Sequence, residues 1–219
     1  MPTGETLEFL RNLDRNNNRE WFGAHRSEYE AARDDVAGMV AVLIARIAEF
    51  DPLLRGTLAP DCLFRIFRDT RFSKDKTPYK TAFGGVLAPG GRKSAIPGYY
   101  VQVDAAESFI AGGCYRPEPA GLQAIRTAIA ADPQSFSGIV EQPDFIKAFG
   151  GLSVGDGKLV NVPRGFAKDH PAAEFLKLKS FIVYRAVSEA ELADLDGLVA
   201  RFRLIKPLND FLRAALKPK

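Results

Sequence analysis

"GYYVQVD" (98–104) and "ESFIAGGCY" (107–115) are two runs of bulky, β-branched and aromatic residues, and only Ala105 and Ala106 lie between them. Alternation and flanking Gly, Pro and Asp mark both as strands. Strands linked this tightly pair antiparallel, because a parallel pair needs a crossover of a dozen or more residues. Upstream, "CLFRIF" (62–67) and "GGVLAP" (84–89) read the same way, and downstream so do "GKLVNVP" (157–163) and "KSFIVYRAV" (179–187).

Helices gather on either side of this block. A short one is expected over Glu5 to Leu13. A long one follows in "NNNREWFGAHRSEYEAARDDVAGMVAVLIARIAEFDP" (16–52), where Trp21, Tyr29, Ala32, Val36, Val40, Leu43, Ile44 and Ile47 recur at helical spacing. Asn17 with Glu20 three residues later reads as its cap, and Asp51-Pro52 as its stop. "PEPAGLQAIRTAIAAD" (117–132) opens with proline, and short helices are expected at Pro133–Glu141 and Pro143–Phe149. Asp169 is the expected cap of "DHPAAEFLKLK" (169–179). In the closing segment 188–216, Ser188 and Glu191 form a capping box, and Pro207 should kink or break the helix. The reading is a single α+β domain over residues 1–219, with a mainly antiparallel sheet flanked by N-terminal and C-terminal helices.

Composition narrows the function classes. The chain has 219 residues, 46% hydrophobic and 26% charged, which suits a globular protein with a sizeable core and argues against disorder. Two cysteines make no disulfide framework. "MPTGETLEFL" lacks the basic and apolar regions of a signal peptide, and the most apolar run is interrupted by Arg46. These features lead to the expectation of a cytoplasmic protein with no membrane partner. A net charge of +3 is modest, so what matters is where the charge lies.

It is concentrated in "RIFRDTRFSKDKTPYK" (65–80). Arg65, Arg68, Arg71, Lys74, Lys76 and Lys80 stand there against only Asp69 and Asp75. Guanidinium groups bind phosphate or carboxylate bidentately and lysines add point charge. Thr70, Ser73, Thr77 and backbone N–H groups could add donors. An anion-binding loop is therefore expected. The competing readings are an ion-pair network that ties the loop down and a solvated basic surface. A second basic cluster holds Arg164 and His170, the latter beside an expected helix start that would favour an anion. Whether the two clusters converge is left open.

Tyr79 stands beside Lys76 and Lys80 and could donate to an anion, although packing is the commoner role. Tyr99 and Tyr100 alternate on a strand, so one of them could line a neighbouring pocket, with Cys114 at a strand end. Neither the two separated histidines nor the cysteines make a metal-ligand spacing. No GxSxG elbow or Walker-type loop appears, so the residues name no cofactor, reaction or oligomeric state.

"NNREWF" (17–22), "RIFRDTRFSKDKTPYKTAFG" (65–84), "GYYVQVD", "AGGCYRPEP" (111–119), "VPRGFAKDHP" (162–171) and "LKLKSF" (176–181) occur in that order. Together they resemble the microbial family catalogued as domain of unknown function 2461, over about residues 6–216. The resemblance implies one compact α+β domain and brings no activity or catalytic residue with it. It implies that the position of Cys114 is commonly held by methionine or another uncharged residue, which weighs against a catalytic thiol. The expected ligand is a small phosphate- or carboxylate-bearing molecule, held by a binding protein or by an enzyme that acts on it. The alternative is a non-catalytic module whose basic surface meets nucleic acid or an acidic protein, with Phe72, Tyr79 and Tyr99 or Tyr100 as stacking platforms.

Overall fold

The structure, a computed structural model, describes residues 4–217. The ends of the expected domain, 1–3 and 218–219, lie outside the described residues. The chain runs α1 (Gly4–Arg15), α2 (Arg19–Ala24), α3 (Arg26–Ile47), α4 (Ala59–Cys62), β1 (Ala82–Leu87), β2 (Gly98–Asp104) and β3 (Phe109–Cys114). It continues with α5 (Pro119–Ala131), α6 (Pro133–Val140), α7 (Pro143–Phe149), α8 (Ala173–Leu176), β4 (Phe181–Ala186), α9 (Glu189–Ala193) and α10 (Leu195–Leu216). The strands form one antiparallel sheet in the order β1-β2-β3-β4, and the fold is α+β. No helix among the described residues is long and apolar enough to cross a membrane.

Two compact units divide the chain. The first holds the described residues up to Ser94, with Tyr100–Ile110 and Ala186–Ala200. Its core is α1 against α3, with Leu7, Leu10 and Leu13 buried on one and Val36, Met39, Val40 and Leu43 on the other. The expected long helix is two helices. Asn18, not Asn17, caps α2, its side chain accepting from the Trp21 N–H at 2.9 Å. His25 leaves helical geometry at φ −108°, ψ 27°, and both its backbone N–H and its Nδ1–H donate to the Trp21 carbonyl, at 3.0 and 2.8 Å. That carbonyl is satisfied at the break between the two helices, and the His25 ring stacks on Trp21 with centroids 4.0 Å apart. α3 also stops at Ile47, short of the Asp51-Pro52 signal.

A Cβ on Gly85 would lie 3.5 Å from the Val40 side chain and 3.8 Å from Val101. Residues alternate across a strand, so Val101 and Val103 face α3 while Gly84, Tyr100, Gln102 and Asp104 take the opposite face. "CLFRIF" is not a regular strand. Its segment makes only the antiparallel bridges Leu63↔Gly85 and Phe67↔Tyr79, because Cys62 still belongs to α4 and the chain bends at Ile66.

The second unit holds Ala95–Tyr99, Ala111–Arg185 and the described residues from Arg201. Phe136 is fully buried among Phe175, Phe181 and Phe211, with ring centroids 5.1, 6.2 and 5.0 Å away. From α10, Asn209 donates to the Gly98 carbonyl at 3.1 Å and Arg213 to the Pro97 carbonyl at 2.8 Å, fixing the entry to β2. Of the expected kink or break at Pro207, the break does not occur: α10 runs through it. Pro207 and Arg203 are both exposed, so the helical hydrogen bond that Pro207 cannot donate is lost on the water-facing side of α10. "GKLVNVP" is not a strand either: it makes one bridge, Lys158↔Leu178, and is otherwise irregular and largely exposed. Asp169 does not cap α8, which starts at Ala173 with Ala172 at the cap. The turn before it is held by His170 instead. The Ser188–Glu191 capping box forms as expected.

Candidate functional site

The 65–80 segment is an irregular two-stranded ribbon. Lys80 N–H donates to the Ile66 carbonyl at 2.8 Å and Arg68 N–H to the Pro78 carbonyl at 2.9 Å, leaving residues 69–77 as its tip. The ribbon is anchored by Tyr79. Its ring is buried, stacks on Phe22 at 4.0 Å and 13°, and touches Phe67 at 5.5 Å. Its backbone is gripped on both sides by Asn17, which donates to the Tyr79 carbonyl at 3.0 Å and accepts from its N–H at 3.1 Å. Sequence reading missed this role of Asn17. The signal available was its place beside a second asparagine that could do the capping.

The tip folds around its two carboxylates. Arg68 pairs with Asp75 and also donates to the Thr77 hydroxyl. Asp75 accepts from the Thr77 N–H at 2.9 Å and from its hydroxyl. The Thr77 N–H first, then Arg68, holds the Asp75 carboxyl down to about 2. Arg71 makes a bidentate pair with Asp69, at 3.0 and 2.7 Å, and this keeps the Asp69 carboxyl below its usual range. Lys76 donates to the Thr70 carbonyl at 2.9 Å. The Arg71, Ser73 and Thr77 amides are all bonded inside the loop. Arg65 and Lys74 are exposed and make no hydrogen bond or ion pair among the described residues. Lys80 lies 5.3 Å from the Phe64 ring centroid, and burial, then repulsion from Arg65, lowers its pKa.

The Asp75 turn makes a pH prediction. A carboxyl whose folded-state value is depressed stabilises the folded loop above the ordinary value of 3.8, and that contribution is lost as pH falls through about 2. Carboxyl-detected NMR should therefore give Asp75 a midpoint near 2, with the Thr77 amide shifting in step. A midpoint at the ordinary value would mean that the turn does not persist in solution.

The aromatic candidates separate. Tyr99 is in the core at 1% exposure, edge-on to Phe202 at 5.5 Å, and offers no surface to a ligand. Tyr100 takes the opposite face. It donates to the Gln102 side-chain oxygen at 2.9 Å, and Gln102 donates to Asp104 at 2.8 Å, while burial and then Asp104 push the phenol up to about 12. The phenol lies over Gly84, where a Cβ would stand 2.3 Å from the Tyr100 oxygen. Cys114 is buried, and burial pushes its thiol up to about 11, away from the thiolate that reactive cysteines use. The rings exposed in and beside the ribbon are others: Phe72 at 96%, Phe67 at 45% and Phe64 at 38%. Phe67 and Phe64 were not singled out by the sequence.

In the second unit, Arg164 is exposed. His170 has both ring nitrogens engaged: Nδ1 accepts from the Ala172 N–H at 3.0 Å, and Nε2–H donates to the Ala130 carbonyl at 3.2 Å. That is the neutral Nε2–H tautomer, set by backbone partners. A cavity of about 470 Å³ lies in the first unit between α1 and α3, and Glu5, Glu8, Glu28 and Asp35 among its lining residues make it unsuited to an anion.

Searches of curated proteins and of solved structures return no match. The family described as conserved hypothetical protein (DUF2461) matches residues 5–211, almost the entire chain, from α1 into the last turns of α10. On that match the chain belongs to the DUF2461 family.

Proposed function

We propose that the 65–80 ribbon is an anion-binding surface for phosphate- or carboxylate-bearing ligands. The observation that carries the reading is the division of labour among its charges. Asp69 and Asp75 occupy Arg71 and Arg68 and shape the tip, and six cations against two carboxylates leave Arg65, Lys74, Lys76 and Lys80 without an ion pair among the described residues, Arg65 and Lys74 of them fully on the surface. Exposed ion pairs are weak stabilisers, so a structural network alone does not account for the unpaired surplus. Binding here is electrostatic positioning, with lysines and Arg65 supplying charge and Arg71 free to exchange Asp69 for a ligand at little cost. Arg164 and His170 belong to the second unit and are not part of the proposed surface. His170, with both nitrogens engaged, is the weakest member of the expected set.

The test is thermal unfolding with phosphate, pyrophosphate, nucleotides and citrate, each at low and moderate salt. A ligand at a hundredfold excess over its Kd should raise the midpoint by roughly 5 °C. The shift should shrink in Arg65→Ala and Lys74→Ala, whose own midpoints stay at the parent value. If no anion moves the midpoint, the charges serve the protein's solubility and loop structure, and the reading fails.

A further inference from the structure

We infer that the phosphate-bearing ligand of this surface is a single-stranded nucleic acid, held by its backbone on the cations and by its bases on exposed phenylalanines. The inference rests on the anion-binding reading of the same ribbon and adds the rings to it. Three of the exposed aromatic rings lie in or beside the ribbon, each next in sequence to an arginine: Phe64 to Arg65, Phe67 to Arg68, Phe72 to Arg71. Two of them already carry a cation against the ring, Lys80 at 5.3 Å from Phe64 and Arg71 at 5.8 Å from Phe72. Single-strand binders combine cations that track a backbone with aromatic faces on which bases stack.

The layout also argues against one small anion as the final ligand. Arg65 and Lys80 sit at the base of the ribbon, while Arg71, Lys74 and Lys76 sit at its tip beyond the Arg68–Pro78 rung. Charges strung along a ribbon suit a chain of phosphates better than a single point of negative charge. Phe72 is 96% exposed and has no packing role to explain it, and an aromatic ring left in water is unfavourable unless something covers it. A base does so with either face. A membrane surface fits less well. Phe67 and Phe64 are each less than half exposed, which leaves a face for a base but little to insert into lipid, and Asp69 and Asp75 share the tip with Phe72.

Fluorescence anisotropy tests this with the full chain and four probes: a labelled oligothymidylate of about 12 nucleotides, a strand of equal length lacking bases, inorganic polyphosphate, and vesicles containing anionic lipid. The oligothymidylate is expected to bind at least roughly tenfold more tightly than the baseless strand. Phe72→Ala should remove most of that difference while leaving polyphosphate binding and the unfolding midpoint unchanged. Lys74→Ala should weaken both ligands and reduce the salt slope by about one. Equal affinity for the oligothymidylate and the baseless strand, with polyphosphate bound and sensitive to Lys74→Ala, overturns the nucleic-acid inference and keeps the anion reading. Vesicle binding that depends on Phe72, without oligonucleotide binding, overturns it in favour of a lipid surface. Failure of every probe overturns both readings.

Discussion

Gly113→Ala is expected to lower stability by on the order of 4 kcal/mol, a large part of what an ordinary domain has to lose. Gly113 sits in β3 at φ +114°, a conformation that side chains with a Cβ rarely adopt. A Cβ there would also stand 2.1 Å from the Phe181 carbonyl oxygen and 3.0 Å from the Ile182 Cα. Both are backbone atoms of β4, so no side chain can swing away to relieve the overlap. The strand must shift, and Phe181 is one of the rings around Phe136. Urea unfolding measures the loss. Gly138→Ala in α6 is the control, since nothing lies within 4 Å of its would-be Cβ, and it should be neutral or stabilise by about 0.5–1 kcal/mol. A Gly113→Ala protein as stable as that control would mean that β3 and β4 do not approach as described.

Tyr79→Ala is the second large effect, on the order of 3 kcal/mol, and Tyr79→Phe should fall within about 0.5 kcal/mol of the parent. The alanine removes a buried ring that stacks on Phe22 and lies tilted against Phe67. The phenylalanine keeps all of that, and the Tyr79 hydroxyl makes no hydrogen bond among the described residues. The pair of variants separates packing from chemistry. If Tyr79→Phe abolished anion binding with stability intact, the hydroxyl would belong to the ligand site rather than to the anchor. Arg68 and Lys76 are poorer probes of binding than Arg65 and Lys74, because Arg68 holds Asp75 and Thr77 and Lys76 holds the Thr70 carbonyl. Removing them disorders the tip before it tests the site.

The central strands were legible in the sequence because bulky alternation bounded by Gly, Pro and Asp is a local signal, and "GYYVQVD" became β2 residue for residue. "CLFRIF" and "GKLVNVP" carry similar composition yet make isolated bridges, since pairing depends on which edge the chain reaches and not on its own residues. The cap at Asn17 was misplaced by one position for the same reason. Asn17 and Asn18 are equivalent as caps, and the tie broke on a contact with Tyr79, 62 residues away. Within the basic stretch, the charge itself was evident, and so was the competition from Asp69 and Asp75. Packing is the preferred reading of Tyr79, and its ring is buried; what could not be read was which arginines those aspartates would take, which of Tyr99 and Tyr100 would turn inward, or that Phe64 and Phe67 would stay outside. Burial is decided by neighbours across the fold, and a periodic pattern reports it only inside regular elements.

The contact between Gly84 and the Tyr100 phenol makes those two positions one choice rather than two. Any side chain at 84 evicts the ring, and a smaller residue at 100 leaves a gap above a glycine that no longer has a reason to be one. A chain drifting away from this pair must pass through a variant that is either overfilled or hollow. The passage is easiest with the small residue arriving first, because a void on a half-covered sheet face can be filled by water, whereas a Cβ at 84 must drive the Tyr100 phenol out of its place and off its hydrogen bond to Gln102.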